Sequence, residues 1–141
     1  MKAKKTPYQK QKLKTWRAFS RYIRIRDCIE TTGWPYQGRC FTCGDIHPLP
    51  DLHAGHVVGG RRNAQLFDEK GVFAQCARCN LFEGGRPHEA RDYVVAKYGE
   101  EVFEELRRQR DEHRKYTMKD LRAIEQEFKT RAEQMLEEFQ E

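Results

Sequence analysis

Gln75-Cys76-Ala-Arg-Cys79-Asn80, answered upstream by Cys40-Phe-Thr-Cys43-Gly44, is the stretch of this chain whose reading decides its fold. The two doublets stand as C-x2-C-x32-C-x2-C. Four thiolates at that spacing can close a tetrahedron around one Zn2+. Such an ion draws two remote segments onto one scaffold, the Asn80 segment and the intervening His53-Ala-Gly-His56. A site closed by four sulfurs has no open coordination position, so the zinc is structural.

Composition agrees with a stapled fold. The chain has 141 residues, of which 38% are hydrophobic and 35% charged. That suits one domain with a thin core, and a bound metal compensates for a thin core. Doublets of this kind, with no signal peptide and no apolar run of about 18 residues, point to a cytoplasmic protein in a reducing compartment and away from a membrane. Cys28 reads as a buried small hydrophobe. The net charge of +5 is unevenly spread. Residues 1–27 carry ten Lys and Arg against one acid, residues 28–99 balance, and residues 100–141 are net acidic. A basic arm on a neutral centre is the electrostatic footprint of nucleic acid.

Working outward, residues 1–8 read as a disordered basic arm, with Pro7 ending any earlier helix. From Gln9 to Glu30 apolar groups recur at a helical period, and Lys10, Lys14, Arg17, Arg21 and Arg24 occupy the opposite face, able to follow a phosphate backbone. Residues 50–58 and Val72 to Gln75 read as short strands. A helix begins near Cys79 and Asn80 and ends by Gly84-Gly85. Helices follow from Pro87 to a Gly99 cap and from Glu100 to about Asp111. Thr117 and Asp120 form a capping box for a last helix. Its stripe of Leu121, Ile124, Phe128, Ala132, Met135, Leu136 and Phe139 fits a core or a dimer seam. The division is residues 1–8 as arm, 9–116 as the zinc-bound domain with its following helices, and 117–141 as a C-terminal amphipathic helix.

The residues around the doublets suggest phosphodiester hydrolysis. Deprotonating a water near neutral pH suits the imidazole of His56. Charge developing on the leaving oxygen calls for a Lewis acid, and oxygen donors such as Asn80 suit Mg2+. Arg61 and Arg62 would clamp neighbouring phosphates, and Arg78 is a further candidate DNA contact.

With these residues in view, the chain resembles the HNH (ββα-metal) endonucleases, and within them the lambdoid phage recombination proteins of the NinG/Rap type. The resemblance is carried by Tyr22-Ile-Arg-Ile-Arg26-Asp27, Cys40-Phe-Thr-Cys43-Gly44, Ala54-Gly-His56, Phe67-Asp-Glu-Lys, Gln75-Cys-x-x-Cys79-Asn80 and Lys97-Tyr-Gly99-Glu-Glu. It implies an α+β fold, a small zinc-stapled ββα-metal core with long N- and C-terminal helices. It also implies a divalent-metal-dependent DNA endonuclease, acting as a homodimer on branched DNA such as Holliday junctions. Residue by residue, His56 is similar to the general base and Asn80 to the metal ligand on the helix. His53 is proposed as second ligand to a catalytic Mg2+ or Mn2+, with Asp51 in reserve. The chain departs from the pattern at Gly55, where an Asp or His usually precedes the base, and at Gly71, where a loop-bracing Asn is usual. Residues 53 and 56 of an extended strand face opposite ways, so a bulge at Gly55 is expected. The competing expectations are a non-catalytic zinc-knuckle DNA-binding protein, an RNA-binding zinc protein, and a non-specific or restriction-like HNH nuclease.

Overall fold

The computed structural model describes residues 3–60 and 62–140. The long N-terminal helix α1 (Pro7–Thr32) is followed by an antiparallel hairpin, β1 (Gln37–Arg39) and β2 (Ile46–Pro48). A 3-10 turn (Leu49–Asp51) leads into β3 (Leu52–His56), and a loop with the one-turn helix α2 (Asn63–Leu66) returns the chain to β4 (Val72–Cys76). Strand β4 runs into a π-helical turn (Arg78–Phe82), and three helices complete the chain: α3 (Pro87–Tyr98), α4 (Glu100–Asp111) and α5 (Met118–Gln140). The result is a largely helical molecule with two small antiparallel sheets.

Helix α1 begins two residues earlier than the sequence reading, at Pro7. The Thr6 hydroxyl accepts from the Gln9 amide (3.1 Å), while the Gln9 side chain accepts from the Thr6 amide (2.9 Å). Pro7 sits at the first helical position, where its missing N–H costs nothing, so it starts this helix and does not end an earlier one. Pro7 and Tyr8, assigned by sequence to a disordered arm, therefore belong to the helix, and the Tyr8 hydroxyl donates to the Tyr116 carbonyl (2.9 Å). At the other end Gly33 adopts φ +76° and its amide donates to Ile29 (2.8 Å). Helices α3, α4 and α5 fall where cap signals and apolar spacing predict them. Thr117 and Asp120 exchange both capping hydrogen bonds, at 2.9 and 3.0 Å.

The stripe on α5 is spent within the chain. Phe128 and Ala132 pack against Phe19, Tyr22 and Ile23 of α1, with Ile124, Met135 and Leu136 alongside. The seam offered as a dimer contact is thus filled by α1. Polar stitches reinforce it: Thr15 donates to the Leu121 carbonyl (2.8 Å) and Gln11 to the Glu125 carboxylate (2.9 Å).

Helix α1 is also tied to β4. The buried Asp27 accepts from the Ala74 amide (2.8 Å) and from Arg26 (2.7 Å), while Arg26 donates onward to the carbonyls of Glu69 and Val72 (2.9 Å each). A second tie joins three elements. Arg131 of α5 makes a two-pronged pair with Glu69 (2.7 and 2.9 Å), and the Tyr22 hydroxyl donates to Glu69 (2.9 Å). Burial, and the hydrogen bond to Glu69, hold the Tyr22 phenol at about 12. Burial opposes ionisation of Glu69, but Arg131 and Tyr22 outweigh it and lower its carboxyl.

Candidate active site

The β1–β2 turn carries Cys40 and Cys43. Within it the Cys40 amide donates to Asp45 (2.9 Å) and the Gly44 amide to Cys40 (2.8 Å). Gly44, at φ +81°, supplies the left-handed step that a side chain would resist. The Phe41 amide donates to Ala74 (2.9 Å), docking the hairpin on β4, whose last residue is Cys76. Cys79 follows in the π-helical turn. All four sulfurs lie within 4.8 Å of one another, and those of Cys43 and Cys76 are 3.9 Å apart. Zn–S bonds of about 2.3 Å in a tetrahedron put sulfurs roughly 3.8 Å apart. The donor set therefore fits a metal ion such as zinc. Its electrostatics agree: against the cost of burial, the Thr42 hydroxyl and nearby amides pull the Cys40 thiol down, while burial and neighbouring sulfurs push Cys43 and Cys76 up. Only a cation lets all four ionise together.

One residue past the knuckle, Asn80 turns away from the sulfurs. Its carboxamide nitrogen lies 3.1 Å from His53 Nδ1, so the two residues chosen as ligands from the sequence do meet. Both line a cavity of about 490 Å3 that also receives His56. The carbonyl of Leu66 lies 3.2 Å from His56 Nε2. A carbonyl only accepts, so Nε2 carries the proton and the lone pair of the neutral ring sits on Nδ1. The imidazole stacks on Trp16, with ring centroids 5.4 Å apart and planes 16° from parallel. Trp16, Ser20 and Arg24 follow one another at spacings of four, so a single ridge of α1 forms the cavity wall. Arg24 is mostly withdrawn from water, which lowers its affinity for its proton, and it donates to the Ser20 carbonyl (3.2 Å).

The expected bulge at Gly55 is not there. Strands β3 and β4 pair in unbroken register, His53 opposite Gln75, Gly55 opposite Phe73 and His56 opposite Val72. Residues from both faces of β3 nonetheless line the cavity, because it wraps the edge of β3 that has no strand partner. Gly55 serves another purpose. A Cβ there would stand 2.2 Å from Gln75 Oε1. The fully buried Gln75 crosses over this glycine and donates to the Thr42 hydroxyl (3.0 Å) and the Gly85 carbonyl (2.9 Å). It is a crossbar joining the knuckle to the loop that follows Asn80.

Gly71, too, is explained by packing: a Cβ would meet Leu106 of α4 at 2.7 Å. Bracing of the loop falls instead to the buried Gln65, which donates to the carbonyls of Val58 (2.7 Å) and Gly59 (3.2 Å).

Other sequence candidates lie apart. Asp51 lines a neighbouring cavity with Asp45, His47 and Arg78, to which His53 also contributes, and it is not among the residues lining the His56 cavity. Arg61 lies outside the described residues. Arg62 is exposed near Gly60 and does not line the His56 cavity. Arg78 pairs loosely with Asp45 (3.8 Å) and Glu83 (3.6 Å) on the surface. Lys10, Lys14, Arg17 and Arg21 are exposed along α1, and the last three border a groove shared with Glu125 and Glu133 of α5. Of the cations named from sequence that are among the described residues, Arg24 is the one that lines the His56 cavity. The sequence reading missed Ser20, Gln65 and the crossbar role of Gln75. Trp16 counts in the sequence only as one of the apolar groups of the first helix; the four-residue rhythm from Trp16 to Arg24 was the available signal.

A four-cysteine metal knuckle set beside a histidine-lined cleft, on a scaffold of long helices and two small sheets, defines the class of this molecule. The chain belongs to the family described as bacteriophage lambda NinG protein, whose model it matches over residues 1–138. Protein ninG of Escherichia phage 933W is 29% identical over 90 residues, covering 63% of this chain and 44% of the relative, and that of Enterobacteria phage VT2-Sa gives the same values. Protein ninG of Escherichia phage lambda is 28% identical over 90 residues, covering 63% of this chain and 43% of the relative. The matched region thus spans less than half the length of these relatives. No solved structure matches the chain. Among the described residues, no helix is long and apolar enough to cross a membrane.

Proposed function

We propose that this chain is an HNH-type, divalent-metal-dependent DNA endonuclease of phage recombination, cutting branched DNA such as four-way junctions. The observation that carries the reading is the meeting of Asn80 and His53 in the same cavity as a tautomerically defined His56. His53 Nδ1 and the Asn80 carboxamide oxygen would form a two-donor set once an ion displaces the Asn80 nitrogen, which now sits 3.1 Å from Nδ1, and would leave most positions of Mg2+ or Mn2+ to water and phosphate oxygens. Bound there, the ion would supply Lewis-acid stabilisation of charge on the phosphate and the leaving oxygen. The chain's own part is to orient and to move a proton. His56 takes the proton of the attacking water at Nδ1, while the Leu66 carbonyl holds Nε2–H and the Trp16 ring fixes the plane of the imidazole. Arg24 binds a phosphate oxygen from the wall of the cavity, and the exposed Lys10, Lys14, Arg17 and Arg21 carry the flanking backbone.

The test is cleavage of a four-way junction with Mg2+ or Mn2+ by the zinc-loaded protein. His56→Ala is expected to slow cutting roughly 100- to 10,000-fold, the usual worth of a positioned base, while leaving junction affinity intact. Cutting at the wild-type rate by that variant would remove His56 from the mechanism. Binding without cutting under every divalent ion would leave a junction-binding protein.

A further inference from the structure

The two most exposed large hydrophobic side chains among the described residues are consecutive and directly follow Asn80. Leu81 is 61% exposed and Phe82 81% exposed. Single exposed apolar side chains are ordinary, but two adjacent ones at the mouth of a cavity call for a reason. Here the backbone is held from both sides. Cys79 is anchored in the sulfur cluster, and the Gly85 carbonyl is gripped by the buried Gln75. Between them the turn is widened, with the Glu83 amide reaching back to Arg78 (3.0 Å) and the Gly85 amide to Cys79 (2.8 Å). The chain then leaves through three residues of positive φ, Gly84, Gly85 and Arg86. The apolar tip is therefore presented on a fixed mount.

Its surroundings name its occupant. Leu81 itself lines the cavity that holds Arg24, His53 and His56, and Phe82 is the next residue, just outside that lining, so a ligand that reaches from the cavity past Leu81 meets Phe82. Arg78 and Arg86 flank the tip in sequence, and both pair with Glu83, which follows Phe82 (3.6 and 3.4 Å), so the cation that counts is Arg24 in the cavity wall. Two side chains are too small an apolar area for a stable protein partner. They match the flat apolar face of a nucleobase attached to a phosphate backbone. In an intact duplex those faces are covered by stacking; at a branch point, a nick or a single strand they are open.

We propose that Phe82, supported by Leu81, stacks on an unpaired or unstacked DNA base beside the phosphate held in the His56 cavity, and thereby selects interrupted DNA over continuous duplex. This deepens the endonuclease reading and rests on it for the location of the phosphate.

The experiment compares wild type, Phe82→Ala and Phe82→Tyr, zinc-loaded and without added Mg2+ or Mn2+. Fluorescence anisotropy reads binding to a four-way junction, a single strand and a linear duplex, and a 2-aminopurine at the branch point reports stacking. Phe82→Ala is expected to weaken junction and single-strand binding about tenfold, the scale of one base–aromatic stack, to leave duplex binding unchanged, and to abolish the 2-aminopurine response. Phe82→Tyr is expected to keep all three. The proposal is overturned if Phe82→Ala binds the junction as wild type does, if it loses junction and duplex binding equally, or if its effect is confined to self-association seen by light scattering. Failure of the parent reading is read separately: His56→Ala cutting normally sinks the nuclease assignment without touching the stacking result, whereas a wild type that binds no DNA sinks both.

Discussion

Gln75 has no room to spare. Its amide nitrogen serves the knuckle and the post-Asn80 loop at once, and its oxygen lies directly over Gly55. Gly55→Ala must displace a buried side chain that two hydrogen bonds hold in position. Such overpacking costs about 1–3 kcal/mol, or a fall in Tm of roughly 3–10 °C for a chain of this size, measurable by calorimetry. If instead the variant melts with wild type, the crossbar yields freely and has no such role. This also marks what was legible at single positions. Cys40, Cys43, Cys76 and Cys79 were readable because ligand spacing is encoded along the chain. That His53, His56 and Asn80 come together in one cavity was readable through the resemblance of the segments that carry them. Gln75 and Gln65 were not, since a carboxamide used as a strut looks in sequence like any surface glutamine. The bulge at Gly55 was a wrong inference from strand alternation, because a cavity that wraps an unpaired edge can receive both faces.

At the scale of elements, the hairpin β1–β2, strand β4 and the π-helical turn depend on one cluster of sulfurs. Structural zinc contributes roughly 10–16 kcal/mol of binding free energy in small knuckles, comparable to the ~5–15 kcal/mol stability of a whole domain. Native mass spectrometry should find one zinc per chain. Removal by a chelator should abolish junction cleavage that Mg2+ alone fails to restore, because Asn80 is covalently next to Cys79. A metal-free chain that keeps its melting temperature and its activity would show that the cluster is not a staple. Helices α3, α4 and α5 were legible from caps and apolar spacing. Strands β1 and β2 and helix α2 were not, as elements of three or four residues leave no period to detect.

The molecule as a whole is closed by Glu69, where α1, α5 and the loop before β4 meet. The lowered Glu69 carboxyl contributes stability above its ordinary value of 4.5, and that contribution disappears as pH falls through the depressed value. The raised Tyr22 phenol works in the opposite sense, contributing below 10 and losing its effect as pH climbs through about 12. The Tm gap between wild type and Glu69→Gln should therefore be widest from about pH 5 to 9 and should shrink in acid. A gap that persists unchanged below pH 3 would mean that the carboxylate charge is not what closes the molecule.

Among the described residues strand β3 bonds to a strand neighbour on one side only, and a bare flank of that kind invites a foreign strand to add itself. In this chain that flank is overhung by Trp16, Ser20 and Arg24. An incoming strand would have to displace an indole and a half-buried guanidinium before it could pair there.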